Sequence, residues 1–462
     1  MRIIALAAVL LLGIVPTARA GFPYTDRYEA WSADREFPLG AWHSGENPVP
    51  TLTPSQRIDR YLNAGLNQFV AVDAFNNNGN LQQAALDGLE SQLIATTGNS
   101  YQQNILHAES IGSGPTAVSV FDEPVDAEIA DVASRITWAQ QQTQIGVPHA
   151  EAPLIYANLS ALSIDIDDYL NSTTTDVLSY DRYPLFLDGT TDAHYFAEMD
   201  LVRRAALQHN LPMWMIQQAW SRESGGGQML RIPSPSDMRF QAFSFMGYGG
   251  LGINYFVYLF SSFPDAIIDF DINQPTGVYD SIRDMAPEIR ALGRALRMLR
   301  PQGDVEYFGD AITEFDGVTP FVSTAARRLF NVESVDSGQV SFFVDEAGEE
   351  YFMLVNLKHG PNLDKHQAAD TMRLFLDPNV LALERLNRHT GRVEILPTLD
   401  NQPGGNRYLD IDLEGGTGDL FKFSTGAPFV PEPATLQVCA LATLVVGMRR
   451  RRLRADTPGK LV

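Results

Sequence analysis

The chain has 462 residues, 45% of them hydrophobic, and a formal net charge of −22 at pH 7. So acidic a balance disfavours nucleic acid and anionic membranes as partners. With one cysteine, Cys439, a disulfide framework is excluded and stability must come from burial.

Arg2 gives a positive start, Ile3 to Val15 is uncharged and mostly apolar, and Thr17-Ala18-Arg19-Ala20 sets small residues around a cut after Ala20. The stretch is short for a bilayer span, so residues 1–20 read as a cleaved secretory signal.

From Phe37 to Leu299 short apolar runs alternate with helix-like segments. Eight runs read as strands: Leu39 to Trp42, Gln68 to Val72, Asn104 to Ala108, Ala117 to Phe121, Leu154 to Ala157, Val177 to Tyr180, Met213 to Ile216 and Leu251 to Tyr255. Thr53-Pro54-Ser55-Gln56 precedes a helical stripe of Ile58, Tyr61 and Leu62, and Ser234-Pro235-Ser236-Asp237 reads as a capping box with proline at the first helical position. Ile282, Met285, Ile289, Leu292, Leu296 and Leu299 form a helical stripe after the last run. Alternating units of this kind predict a parallel sheet, and eight of them over residues 21–300 match a (β/α)8 TIM-type barrel. One link is irregular, because Glu109 to Thr116 is too short for a crossover helix between the third and fourth runs. A doubly wound open sheet is the rival, weakened in its dinucleotide-binding form by the lack of a Gly-x-Gly-x-x-Gly turn.

Beyond Pro301 the pattern changes. Val340 to Val344, Tyr351 to Asn356, Met372 to Leu376, Ala382 to Leu386, Val393 to Leu396, Tyr408 to Leu413 and Leu420 to Phe423 are short runs parted by Gly, Asp and Pro. They predict a small antiparallel β-sandwich over residues 301–428.

The chain closes with Val430-Pro431-Glu432-Pro433, an uncharged stretch from Ala434 to Met448, and Arg449 to Arg452 with Arg454. Arginines after a short apolar helix favour a cytoplasmic end. Residues 429–462 resemble the PEP-CTERM sorting signal in motif, apolar segment and basic finish. That resemblance implies a short transmembrane segment, recognition by an exosortase-type protease, and release to the envelope or outside. Without both ends the charge becomes −28, from 26 basic and 54 acidic residues.

In a barrel, functional residues gather at the C-terminal ends of the strands. Those ends carry Trp42-His43, Asp73, Glu109, Asp122-Glu123-Pro124, Asn158, Asp181-Arg182-Tyr183-Pro184 and Gln217-Gln218-Ala219-Trp220. Carboxylates and amides suit the hydroxyls of a sugar, and aromatic rings suit its apolar face. His43 lacks a metal-spaced partner, so metal-dependent hydrolysis ranks below sugar chemistry.

With these residues in place, the region from Phe37 to Pro428 resembles the retaining (β/α)8-barrel clan of glycoside hydrolases. The resemblance implies that Glu123, at the end of the fourth strand, is the acid/base, with Asp122 where the clan carries asparagine. The clan's nucleophile would be a glutamate after the seventh strand, where this chain has Gln217 and Gln218. Asp181 is therefore taken as the second carboxylate, with Glu109 and Glu223 as further candidates. Trp42, His43, Glu109, Asp122, Asn158, Tyr183, Gln218 and Trp220 would hold the sugar, and no cofactor or metal is required. The glutamines leave a second reading open, a carbohydrate-binding or surface-matrix protein on a barrel that has lost its nucleophile. Gly225-Gly226-Gly227 reads as a mobile loop or as a lid over the site.

Overall fold

The computed structural model describes residues 23–430 except 97–99, 223–228, 264, 325, 335 and 402–404. The signal sequence, Glu223, the triple glycine, Cys439 and the sorting tail lie outside the described residues. Among the described residues, no helix is long and apolar enough to cross a membrane.

Eight parallel strands close into a barrel in sequence order: β1 (Leu39–His43), β2 (Gln68–Val72), β3 (Glu90–Ile94), β4 (Ala117–Asp122), β5 (Leu154–Leu159), β6 (Leu178–Arg182), β7 (Met213–Gln218) and β8 (Gly252–Leu259). Closure comes from β1 pairing with β8, where Leu39 faces Ile253 and Gly40 faces Asn254. The helices on the outside are α2 (Pro54–Asn63), α3 (Asn78–Asp87), α4 (Tyr101–Ser110), α5 (Ile129–Thr143), α6 (Ile166–Ser172), α7 (Tyr195–His209), α8 (Pro235–Gly247) and α9 (Gly277–Leu296), with α1 (Asp26–Ser32) ahead of the barrel. Thr53 and Gln56 close a capping box on α2, and Ser234 and Asp237 close one on α8. Each box satisfies backbone N–H groups that the first helical turn leaves free. Trp31 of α1 plugs the N-terminal end of the barrel: it is fully buried, donates to Thr116 O at 2.9 Å and lies 5.8 Å from the Trp214 ring.

One expected strand is corrected. Asn104 to Ala108 lies inside α4, and the third strand is Glu90–Ile94. Ser100 accepts from Gln103 N and starts α4, which buries Asn104, Ile105 and Ala108 against the barrel. That spacing of one and four residues belongs to one face of a helix. The correction removes the short link, because α4 itself is the crossover between β3 and β4.

The seven expected strands after Pro301 all form, joined by others that begin with Arg300–Phe308. They make a four-stranded antiparallel sheet and a seven-stranded sheet that is antiparallel except for the short edge strand Thr319–Pro320, which runs parallel to Arg300–Phe308. Phe352, Leu354 and Phe421 of the larger sheet pack on Met372, Leu374 and Leu376 of the smaller in one buried core. The sandwich is tied to the barrel by charge. Arg239 of α8 donates to Thr417 at 2.7 Å and pairs with Glu288 of α9, while Arg388 of the sandwich reaches Glu288 at 2.9 Å and Asp419 at 2.6 Å. Among the described residues, Glu288, His389 and Glu414 are the one group of ligand type close enough to hold a metal. Arg239 and Arg388 already occupy Glu288 and Glu414, so the group reads as an ion-pair junction.

Candidate active site

The C-terminal rim brings three carboxyl groups together around one amide. Along β5, Tyr156 and Asn158 share the inward face; along β6, Ser179 and Asp181 do, since alternate residues of a strand point the same way. Asn158 is 2% exposed. Its Nδ2 donates to Asp122 Oδ1 at 3.0 Å and to Asp181 Oδ1 at 3.1 Å. Its Oδ1 accepts from Ser179 Oγ at 3.1 Å. Glu123 follows β4 and is exposed, with its N–H donating to Asn158 O at 2.8 Å. Its backbone sits at φ +48°, a left-handed conformation that a residue with a Cβ adopts at a cost. Such strain persists where the surroundings hold it, and it concentrates at functional sites.

Among the described residues, no lysine, arginine or histidine pairs with Asp122, Glu123 or Asp181. Burial and the unneutralised neighbours therefore act in one direction. Burial, opposed by the Asn158 hydrogen bond and aided by the Glu123 charge, pushes Asp122 up to about 6. Asp181 is pushed well above the usual carboxylate range by burial, by the charges of Glu123 and Asp122, and by a hydrogen bond with Glu123. Both shifts favour the protonated form of the two aspartates. The Tyr183 phenol is also pushed well up, by burial and then by the same three acids, which sets its hydroxyl beside them.

Beside the acids lies an aromatic wall. Trp42 and Trp220 are 5% and 4% exposed, and each packs edge-on against Phe256 at 5.6 Å. Trp220 lies 4.4 Å from Phe263 and 5.9 Å from Tyr183. The two tryptophans thus build the wall of the mouth, and neither presents an open face for a sugar. Their indole N–H groups are buried with no partner among the described residues.

Other expected site residues fall elsewhere. Glu109 is exposed on α4, outside the barrel, because the run before it is helical. His43 points away from the barrel interior, stacked on Tyr258 at 5.5 Å, with Nδ1 accepting from Gly45 N at 3.0 Å. Gln218 is fully buried and its amide is taken up by backbone: Oε1 accepts from Leu185 N at 2.9 Å and Nε2 donates to Arg231 O at 2.8 Å. It staples the loops after β6 and β7. Gln217 turns outward and donates to Gln241 O of α8 at 2.9 Å. Asp73 accepts from Phe75 N at 2.8 Å and shapes its own turn.

Residues that sequence reasoning passed over are Ser179, Gln92, Tyr156 and Asn254. Gln92 bonds to the Tyr156 hydroxyl and accepts from Asn254 Nδ2 at 3.1 Å. These three form a polar layer in the barrel interior. The signal that would have found Ser179 and Tyr156 is their place two residues before Asp181 and Asn158.

A separate cavity of about 440 Å³ lies between the loop after β6 and the sandwich, lined by Thr190, Thr191, Glu314, Lys358 and His359 among others. None of the three acids lines it.

No protein-family model matches the chain, and no curated protein does. Among solved structures, one described as a glycoside hydrolase covers 85% of this chain and 94% of its own, at 12% identity and TM-score 0.48. The GH99 endo-alpha-mannosidase from Bacteriodes thetaiotaomicron covers 57% of this chain and 98% of its own, at 10% identity and TM-score 0.40. A GH128 endo-beta-1,3-glucanase from Amycolatopsis mediterranei covers 54% and 99%, at 15% identity and TM-score 0.35.

Proposed function

We propose that the chain is an exported glycoside hydrolase acting on an extracellular or envelope glycan. The observation that carries this reading is the cluster of Asp122, Glu123 and Asp181 at the C-terminal rim, with no cation among the described residues to neutralise it. Glycosidic cleavage needs a carboxyl that still holds a proton at neutral pH and a carboxylate to stabilise positive charge at the anomeric carbon. Glu123, the exposed member, acts as acid/base on the glycosidic oxygen; Asp181 is the second carboxyl group, acting through Glu123, and Asp122 is the anionic neighbour. Tyr183 supplies a hydrogen bond to a sugar hydroxyl, and Trp42 and Trp220 shape the wall beside it. Carboxyl groups close enough to share a hydrogen bond lie nearer than the ~5 Å separation of a retaining pair, so Asp181 works through Glu123 and not from the opposite face of the sugar. Export rests on Arg2 to Ala20 and on the Pro431-Glu432-Pro433 tail, which give the chain an exosortase-type protease as a processing partner.

The buried glutamines of β7 favour a second reading, a sugar-binding protein that does not cleave. Both are tested by screening the full-length chain and Glu123→Gln on aryl glycosides and polysaccharides. Hydrolysis that falls by about 10²–10⁴-fold in the variant, the usual loss of a general acid, supports the enzyme. Undiminished hydrolysis removes Glu123 from the chemistry, and glycan binding without turnover in both proteins establishes the second reading.

A further inference from the structure

Asn158 does more in this cluster than line it. We infer that Asn158 is a positioning residue that decides which oxygen of Asp181 carries the proton, and so aims that proton at Glu123. The consequence for catalysis rests on the glycosidase reading; the geometry does not.

A side-chain amide offers two N–H donors and one acceptor oxygen. In Asn158 all are engaged, by Asp122, Asp181 and Ser179. No donor remains to hold a sugar, the role its place on the rim suggested, and the residue is 2% exposed. Its backbone oxygen also anchors the N–H of Glu123 at 2.8 Å. One residue therefore holds two of the carboxyl groups and the backbone of the third acid. Ser179 fixes the amide in turn, since a flipped Asn158 would turn its oxygen on two carboxyl groups and forfeit the serine hydroxyl.

The groups facing the pair are Asp122 and Glu123 from β4, Tyr156 from β5 and Tyr183 from β6. None is a cation, so two aspartates bridged by one amide cannot both ionise readily. Asp181, 9% exposed, is the better buried, and burial disfavours its charged form. Its Oδ1 already accepts from Asn158, which leaves the other oxygen to be the O–H that meets Glu123. In the reaction the Asp181 O–H bond breaks as the Glu123 O–H bond forms. Glu123 then gives its proton to the glycosidic oxygen, which leaves with the electron pair of the broken C–O bond. Water adds to the anomeric carbon and returns one proton to Glu123, and through it to Asp181.

The test is carbon-13 NMR of the full-length chain with carboxyl-labelled Asp and Glu, in wild type, Asn158→Leu and Ser179→Ala. Asp122→Asn and Asp181→Asn assign the signals. Losing the donor that favours ionised Asp122 moves its titration up by about one unit in Asn158→Leu, and the acid limb of the kcat/KM profile moves the same way. Ser179→Ala gives a smaller shift of the same sign, and carries the test alone where Asn158→Leu does not fold. Folded variants whose Asp122 titrates as in wild type overturn the inference, whatever their rates. A shifted titration in a protein that cleaves no glycoside upholds the role of Asn158 and overturns the glycosidase reading.

Discussion

A buried carboxyl that no cation among the described residues pairs with should weaken the fold, and Asp122 allows that cost to be measured. Burial is the main reason its pKa rises from 3.8 to about 6. The folded protein thus binds this proton more tightly than the unfolded chain does. The carboxyl favours folding fully below pH 3.8, and that contribution is lost as pH rises through about 6. A shift of about two units, at 1.36 kcal/mol each, is worth about 3 kcal/mol. Roughly 2 kcal/mol of it falls between pH 4 and pH 7.5. Asn has nearly the same shape, can turn its oxygen to the Asn158 N–H, and cannot ionise. Asp122→Asn should therefore gain about 2 kcal/mol relative to wild type on going from pH 4 to pH 7.5. Urea unfolding followed by tryptophan fluorescence at the two pH values gives the two differences. Equal differences at both would show that Asp122 is solvated like a surface carboxylate, and would refute the reasoning.

Two further outcomes follow from the same geometry. Arg388→Met leaves Asp419, 1% exposed, with Arg385 at 3.5 Å in place of its 2.6 Å partner, and takes one cation from Glu288 as well; destabilisation of about 3 kcal/mol is expected in urea unfolding, and a loss under 1 kcal/mol would dismiss the junction as a support. Burial first, then the charges of Arg57 and Arg60, hold His43 down to about 3, so its ring signals should not titrate between pH 5 and pH 8 by proton NMR. A midpoint inside that range would place His43 in solvent, facing the mouth.

The barrel was legible because strands buried on both faces repeat apolar residues locally, and so was most of the sandwich. β3 was not legible. Its sequence, Glu90-Ser91-Gln92-Leu93-Ile94, is half polar, and Gln92 can be buried because Tyr156 and Asn254 meet it across the barrel. No local window contains those partners. Asn104 to Ala108 misled for the converse reason, since a short apolar run fits one face of a helix as well as a strand. The first strand of the sandwich, starting at Arg300, was missed because Gln302, Gly303 and Asp304 break its apolar pattern.

At the site, position after a strand was enough to single out Asp122, Glu123 and Asp181, because a parallel barrel sends every strand's C-terminal end to one rim. What each neighbour does there was decided by tertiary structure alone. Trp42 and His43 are adjacent in sequence, yet one joins the wall of the mouth and the other turns to Tyr258, since strand neighbours face opposite ways. Gln218 was spent on loop backbone and Asn158 on two aspartates 36 and 23 residues away. Periodicity is a property of neighbouring residues, which a sequence displays. The partner of a polar side chain is set by barrel closure, which joins residues that the sequence keeps far apart.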